Sequence, residues 1–221
     1  VVFVHLPKTG GMSLHLAMER ALGPGRVLRV GDAAAQAAFL RMGRDEMARY
    51  AFVSGHFTLN EALARALPEA RFVTVLRDPV ARLLSAFNYM ATWPQHPRHA
   101  AFRDKGFAAF VAEAGHALSG EACRQLTGTD HAFAATPLLD GCYAAVAVPE
   151  RLQELANLVA AWLGVPPPEL AQENPTPGQG RITLDSATCE RLLALTQDDR
   201  SLHAHVAALH HGLLVAPGLS L

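Results

Sequence analysis

The chain has 221 residues, 50% of them apolar and 18% charged, which is enough for one sizeable core and favours a single domain over residues 1–221. Nineteen basic and twenty acidic side chains leave a net charge of −1, so no global positive field gathers nucleic acid, and any anion site must be local. No apolar run reaches membrane-spanning length and there is no signal peptide, while the abrupt start on a strand is also what removal of an upstream anchor would leave.

VVFVH, residues 1–5, reads as a buried strand from its β-branched run. From Ser13 the period changes: Leu14, Ala17, Met18, Ala21 and Leu22 recur at helical spacing until Gly23 and Pro24 stop them. Asp32 to Tyr50 is alanine-rich and helical, and AFVS (51–54) is a second strand followed by a helix over Asn60–Leu67. RFVTVL (71–76) is a third strand, and Pro79 stands where the first residue of a helix reaching about Met90 belongs. TWPQHPRHAAF is a loop by its prolines, with helical stretches near 107–118 and 121–126 beyond it. YAAVAV (143–148) is a fourth strand leading into an amphipathic helix over 150–163. A loop rich in Pro, Gly and Gln spans 164–180, and a last helix runs from near Asp185 to about His211. Strands alternating with helices predict an α/β fold: a parallel sheet of four to five strands covered on both faces, with a helical C-terminal part.

In such a sheet ligands bind at the carboxyl ends of strands. PKTGGMS, residues 7–13, holds that place after the first strand. Glycines there let successive backbone N–H groups converge on one anion, and the helix dipole adds to the attraction. Lys8 supplies a full charge; Thr9 and Ser13 can add hydroxyl donors. It is not a Walker A loop, which needs glycine immediately before the lysine, where this chain has Pro7. The third strand ends in LRDPVARLLSAF, placing Arg77 at the strand end and Ser85 two turns into the next helix. Arg77 offers a forked cation suited to a phosphate monoester, Ser85 a hydroxyl, and Asp78 a cap for the helix that starts at Pro79. Arg82 could pair with Asp78 or line the site. Two anion grips imply a ligand phosphorylated at both ends.

FVHLPKTGGMSL and VLRDPVARLLSAF resemble the 5′-phosphosulfate and 3′-phosphate segments of sulfotransferases that use 3′-phosphoadenosine 5′-phosphosulfate (PAPS). The subgroup is the one that includes heparan sulfate 2-O-sulfotransferase and bacterial relatives. VSGHF is similar to its Gly-His element, AVAVPERLQELANLVAAWLG to its later strand–helix segment, and DDRSLHAHV to its C-terminal helix. Two departures stand out: Met12 replaces a threonine of the family's PKTGGTS, and VAVPE replaces a VGxTE-like stretch around Pro149 and Glu150.

The resemblance implies a P-loop-like fold and in-line sulfuryl transfer from PAPS to an acceptor hydroxyl. Lys8 would stabilise the leaving phosphate, and the segment Thr9, Gly10, Gly11, Met12 and Ser13 would hold it. Arg77 with Ser85 would hold the 3′ phosphate, and Arg181, in a loop that closes over the nucleotide in related enzymes, is a further contact. His56, in SGHF after the second strand, is the candidate general base, since imidazole with an ordinary pKa of about 6.5 can take a hydroxyl proton near neutral pH. The acceptor is read as a saccharide, glycoconjugate or small metabolite, with TWPQHPRH and Arg124–Gln125 as candidates to line its side. A degenerate P-loop kinase and an inactive nucleotide-binding protein are the competing readings.

Cys123, Cys142 and Cys189 are odd in number and lack metal-type spacing, and Asn174 is followed by proline, so no glycosylation acceptor stands there. Reduced thiols in the cytoplasm are expected; the alternative is a lumenal catalytic domain that has lost its anchor. The close histidine sets (His96 with His99, His203 with His205, His210 with His211) join no carboxylate or cysteine framework in sequence, so no metal is expected. Exposed alanine-rich helices would permit a homo-oligomer.

Overall fold

The computed structural model describes residues 1–59, 63, 67–171 and 184–219. In chain order its elements begin with β1 (Val2–Val4), α1 (Gly11–Leu22), β2 (Val27–Val30), α2 (Ala33–Arg41), α3 (Arg44–Met47) and β3 (Phe52–Gly55). They continue with β4 (Phe72–Val75), α4 (Pro79–Thr92), α5 (His99–Phe102), α6 (Phe107–Ala114), α7 (Glu121–Thr127), α8 (Ala132–Cys142) and β5 (Tyr143–Ala147). The last are α9 (Leu152–Leu163), α10 (Ser186–Leu195), α11 (Gln197–Ala204), which runs on into a π-helical turn at His205–Leu209, and β6 (Leu213–Val215).

The strands form one six-stranded sheet in the order β2-β3-β1-β4-β5-β6, parallel except for β6. Val2 pairs with Val53 on one side and Phe72 on the other, so β1 is fully internal. Alternation along β1 divides the core into two layers. Val2 and Val4 join a cluster with Phe57, Leu126, Leu139 and Leu202 from the α7, α8 and α11 side. Phe3 faces the other way, onto Leu14 and Met18 of α1 and Leu155 and Val159 of α9. A third cluster around Phe87, Phe102 and Phe110 ties α4, α5, α6 and α10 together beside the sheet.

The α/β class holds, and the differences from expectation have local causes. The strands β2 and β6 go unpredicted because each is a short edge strand: β2 has four residues with exposed Arg29 among them, and β6 has three. Met42 adopts an extended conformation and divides the Asp32–Tyr50 stretch into α2 and α3. Helix α8 also escapes sequence reading, because Pro137 lies inside it. The final helix is broken at Thr196, buried between α10 and α11. Part of the loop read as TWPQHPRHAAF is helical, as α5. The expected helix over Asn60–Leu67 and most of the Pro/Gly/Gln-rich loop lie outside the described residues.

Two acids on α11, Asp199 buried and Asp198 partly exposed, organise the neighbouring helices. Asp199 is fully buried and accepts hydrogen bonds from the amides of Ala122 and Cys123, 3.0 Å each, at the start of α7. Asp198 accepts from the amide of Ala132 at 2.8 Å, the first residue of α8. These N-termini, otherwise short of acceptors, are capped from another helix. Burial, with Asp199 and Asp198 nearby, pushes the Cys123 thiol far up.

Candidate active site

Three adjacent strand ends build the site. Since β1 lies between β3 and β4, and neighbouring strands are about 4.8 Å apart, the loops after β3, β1 and β4 are brought side by side. They carry His56, Lys8 and Arg77. All three line a cleft of about 1340 Å³.

The turn after β1 is held in shape by its own residues. Lys8 has φ 68° and Gly10 φ 87°, both left-handed, and Gly10 stands at the N-terminus of α1. Thr9 is buried and its hydroxyl donates to the Leu6 carbonyl at 2.8 Å, so the hydroxyl fixes the turn; it does not face the cleft as a donor. Gly11 begins α1, two residues before the expected start. A Cβ there would sit 2.2 Å from the His5 ring and 2.7 Å from Phe3, so only glycine lets the helix start against β1. Gly10, Gly11, Met12 and Ser13 all line the cleft, and the amides of a first helical turn point out of its N-terminus.

Lys8 extends its ammonium over the Tyr89 ring, 4.2 Å from the centroid. Burial, and then the Arg77 charge, hold its pKa below the usual lysine value. Arg77 donates from Nη1 to the Lys8 carbonyl at 3.1 Å, which places its guanidinium against the lysine-bearing turn. Ser85 is buried and lines the same cleft. Asp78 caps α4 as expected, accepting from the amide of Ala81 at 2.8 Å.

Arg82 is the correction on α4. It pairs with Glu121 at 2.7 Å and not with Asp78. Only 3% exposed, it keeps one buried donor, Nε, without a hydrogen-bond partner. Arg82 lies on the cleft wall, so its charge stands beside the cleft while Nε itself is buried.

His56 is exposed and donates from Nδ1 to the His5 carbonyl at 2.7 Å. In the neutral ring that bond leaves Nε2 as the unprotonated nitrogen. Gln125 donates to the same carbonyl at 2.9 Å. The His5 ring stacks beneath His56, centroids 4.8 Å apart. Burial, followed by the charges of His56, Arg29 and His15, pushes His5 down to about 3, so it stays neutral.

Tyr89, Trp93, His96 and Arg98 also line the cleft, an aromatic and basic group beside Lys8, with Tyr89 tilted against Trp93 and edge-on to His96. Of the residues expected on the acceptor side, Arg124 turns away to the carbonyls of Ser119 and Ala117, and Gln125 goes to His5. Pro149 and Glu150 of the divergent VAVPE stretch do line the cleft. Arg29 and Tyr89 are cleft residues that sequence reading missed. Arg29 sits on the unpredicted strand β2, and Tyr89 shows no signal beyond its helical spacing from Ser85. Arg181 lies outside the described residues.

No curated protein matches the chain. Among solved structures, mouse sulfotransferase SULT7A1, described as complexed with PAP, is similar at 16% identity and a TM-score of 0.46. That similarity covers 90% of this chain and 63% of the other, so this chain spans less than two thirds of its length. Residues 6–131 match the model of the sulfotransferase family, more than half of the chain. With the lysine turn, the His56 loop and the Arg77 helix all inside the matched segment, the chain belongs to the sulfotransferase family.

Proposed function

We propose that residues 1–221 act as one domain that transfers a sulfuryl group from PAPS to an acceptor hydroxyl. The observation that supports the reading is the 3.1 Å contact of Arg77 with the Lys8 carbonyl, beside a cleft that His56 also lines. The residues present suit a bisphosphorylated donor. Lys8 and the first turn of α1 fit one phosphate; Arg77 and Ser85 fit the other. Arg181 remains part of the proposed nucleotide contact set.

In the reaction His56 Nε2 takes the acceptor's proton as the acceptor oxygen bonds to sulfur. The bond from sulfur to the bridging oxygen breaks, and the negative charge passes to the departing 5′ phosphate. Lys8 stabilises that charge, and its already lowered pKa rises as the anion comes close. The His5 carbonyl, through Nδ1–H, holds the ring in the tautomer that exposes Nε2 and favours the imidazolium once formed. Positioning in line and charge stabilisation do the chemistry, as in phosphoryl transfer. Asp78, the acid a kinase would need, is already occupied as a helix cap.

The acceptor is a saccharide, glycoconjugate or small hydroxyl metabolite, a reading supported by the Tyr89–Trp93–His96 group, whose ring faces can take the apolar side of a sugar. The resemblance of VSGHF supports the subgroup that includes heparan sulfate 2-O-sulfotransferase. Free Cys123, Cys142 and Cys189 support a reducing, cytoplasmic setting, and exposed α2 supports self-association. Among the described residues no helix is long and apolar enough to cross a membrane.

The test is a thermal-shift series with adenosine 3′,5′-bisphosphate, ATP and ATP with magnesium, followed by radiolabelled sulfate transfer from PAPS to a panel of hydroxyl acceptors. Stabilisation by the bisphosphate and label transfer are expected. Stabilisation by magnesium-ATP alone would move the reading to a kinase, and bisphosphate binding without transfer to any acceptor would move it to a nucleotide-binding protein.

A further inference from the structure

Asp140, His205 and His210 meet outside the cleft. His205 Nε2 lies 2.8 Å from Asp140 Oδ1, and one ligand atom from each of the three residues falls within 4.8 Å of the others. The rings of His205 and His210 are 5.0 Å apart, edge to face. None of the three lines the cleft.

The local helix geometry explains why two histidines five positions apart face one point. In an α-helix such residues diverge by roughly 140°. Here the helix passes into a π turn over His205–Leu209, and i→i+5 bonding returns the fifth residue to nearly the same side. Asp140 comes from the last turn of α8, 65 residues earlier, which is why sequence spacing shows no framework. A simple ion pair joins Asp140 to His205, and the edge-to-face ring contact brings His210 beside them, so three ligand atoms share one point.

We propose that Asp140, His205 and His210 form a binding site for a divalent ion of the zinc class, which pins the end of the C-terminal helix to α8. Two imidazoles and one carboxylate are a donor set such ions accept, with further positions left to water. Binding replaces the proton between His205 and Asp140: Nε2 gives it up, the ring takes the tautomer protonated at Nδ1, and the freed lone pair goes to the metal. The tie would also steady the turn that follows, where His211 and Gly212 take φ 51° and 80° before β6. An ion bound only by the folded chain raises its stability.

Zinc titration of chelator-treated protein, followed by calorimetry and thermal melting, tests this. One ion per chain and a raised melting temperature are expected, with affinity lowered at least about tenfold in Asp140→Asn, His205→Ala and His210→Gln. His131→Ala, which removes a different exposed histidine beside aspartates, should bind as the parent does. Each variant's fold is checked by circular dichroism. Cobalt then reports the donors: a spectrum of nitrogen and oxygen ligands is expected, whereas a sulfur charge-transfer band would assign the ion to a cysteine and overturn the site. No metal-dependent stabilisation, or binding that survives His205→Ala and His210→Gln together, would overturn it as well.

Discussion

His56 and Arg77 make separable demands on the cleft. Because Nδ1 of His56 is engaged by the His5 carbonyl and Nε2 is left free, His56→Ala should lower turnover by about 10²–10⁴-fold. Affinity for adenosine 3′,5′-bisphosphate should barely change, since the proposed phosphate contacts are made by other residues. Calorimetry with the bisphosphate checks this; loss of affinity along with turnover would give His56 a structural role. Arg77→Ala should show the reverse balance, weakening the bisphosphate by roughly ten- to a hundredfold, as expected for one or two charge-assisted hydrogen bonds. Unchanged affinity would remove Arg77 from the phosphate. Lys8 and Arg77 were legible as cations at predicted strand ends, and His56 from its place after a strand together with the resemblance of VSGHF. The Thr9 hydroxyl and Arg82 were less so: a buried hydroxyl can turn inward to a carbonyl, and the partner of an arginine depends on a helix far away in sequence.

At the scale of elements, α11 acts as an acceptor platform for two helix starts. Asp199→Ala would strand two buried amides of α7 and should cost about 2–6 kcal/mol, since each orphaned donor costs roughly 1–3 kcal/mol. Asp199→Asn keeps one acceptor oxygen and should lose less. Urea denaturation measures both, and equal stability of Asp199→Ala and the parent would show that water replaces the cap. As α7 also carries Glu121, the partner of Arg82, and Gln125, which bonds to the His5 carbonyl, loss of the cap should also loosen the cleft. Helix α1 was legible apart from its first turn, and α4 from its proline and capping aspartate. The edge strands β2 and β6 were not: exposed Arg29 interrupts β2, and only Leu214 of β6 is buried, whereas β1, β3 and β4 are buried throughout.

Over the whole molecule, acid should weaken the fold through its buried histidines. Burial holds His5 down to about 3 in the folded chain, and an unfolded histidine titrates near 6.5. Between these values the unfolded chain binds a proton that the folded chain does not. Its contribution to stability is therefore complete above about pH 6.5 and is lost as pH falls toward 3. His15 and His203, both lowered first by burial, act in the same direction. The urea midpoint should fall from pH 7 to pH 5, and less steeply in His5→Gln; an identical slope in that variant would take His5 out of the account. The sequence by itself determined the α/β class, the glycine turn with Lys8, the strand end with Arg77 and the histidine after the second strand, because glycine turns, a capped proline start and β-branched runs act locally. Only the tertiary structure decided that these ends are neighbours. That follows from β1 pairing between β3 and β4, a choice made by hydrogen bonds and packed faces between segments some 50 to 70 residues apart, which no local pattern records.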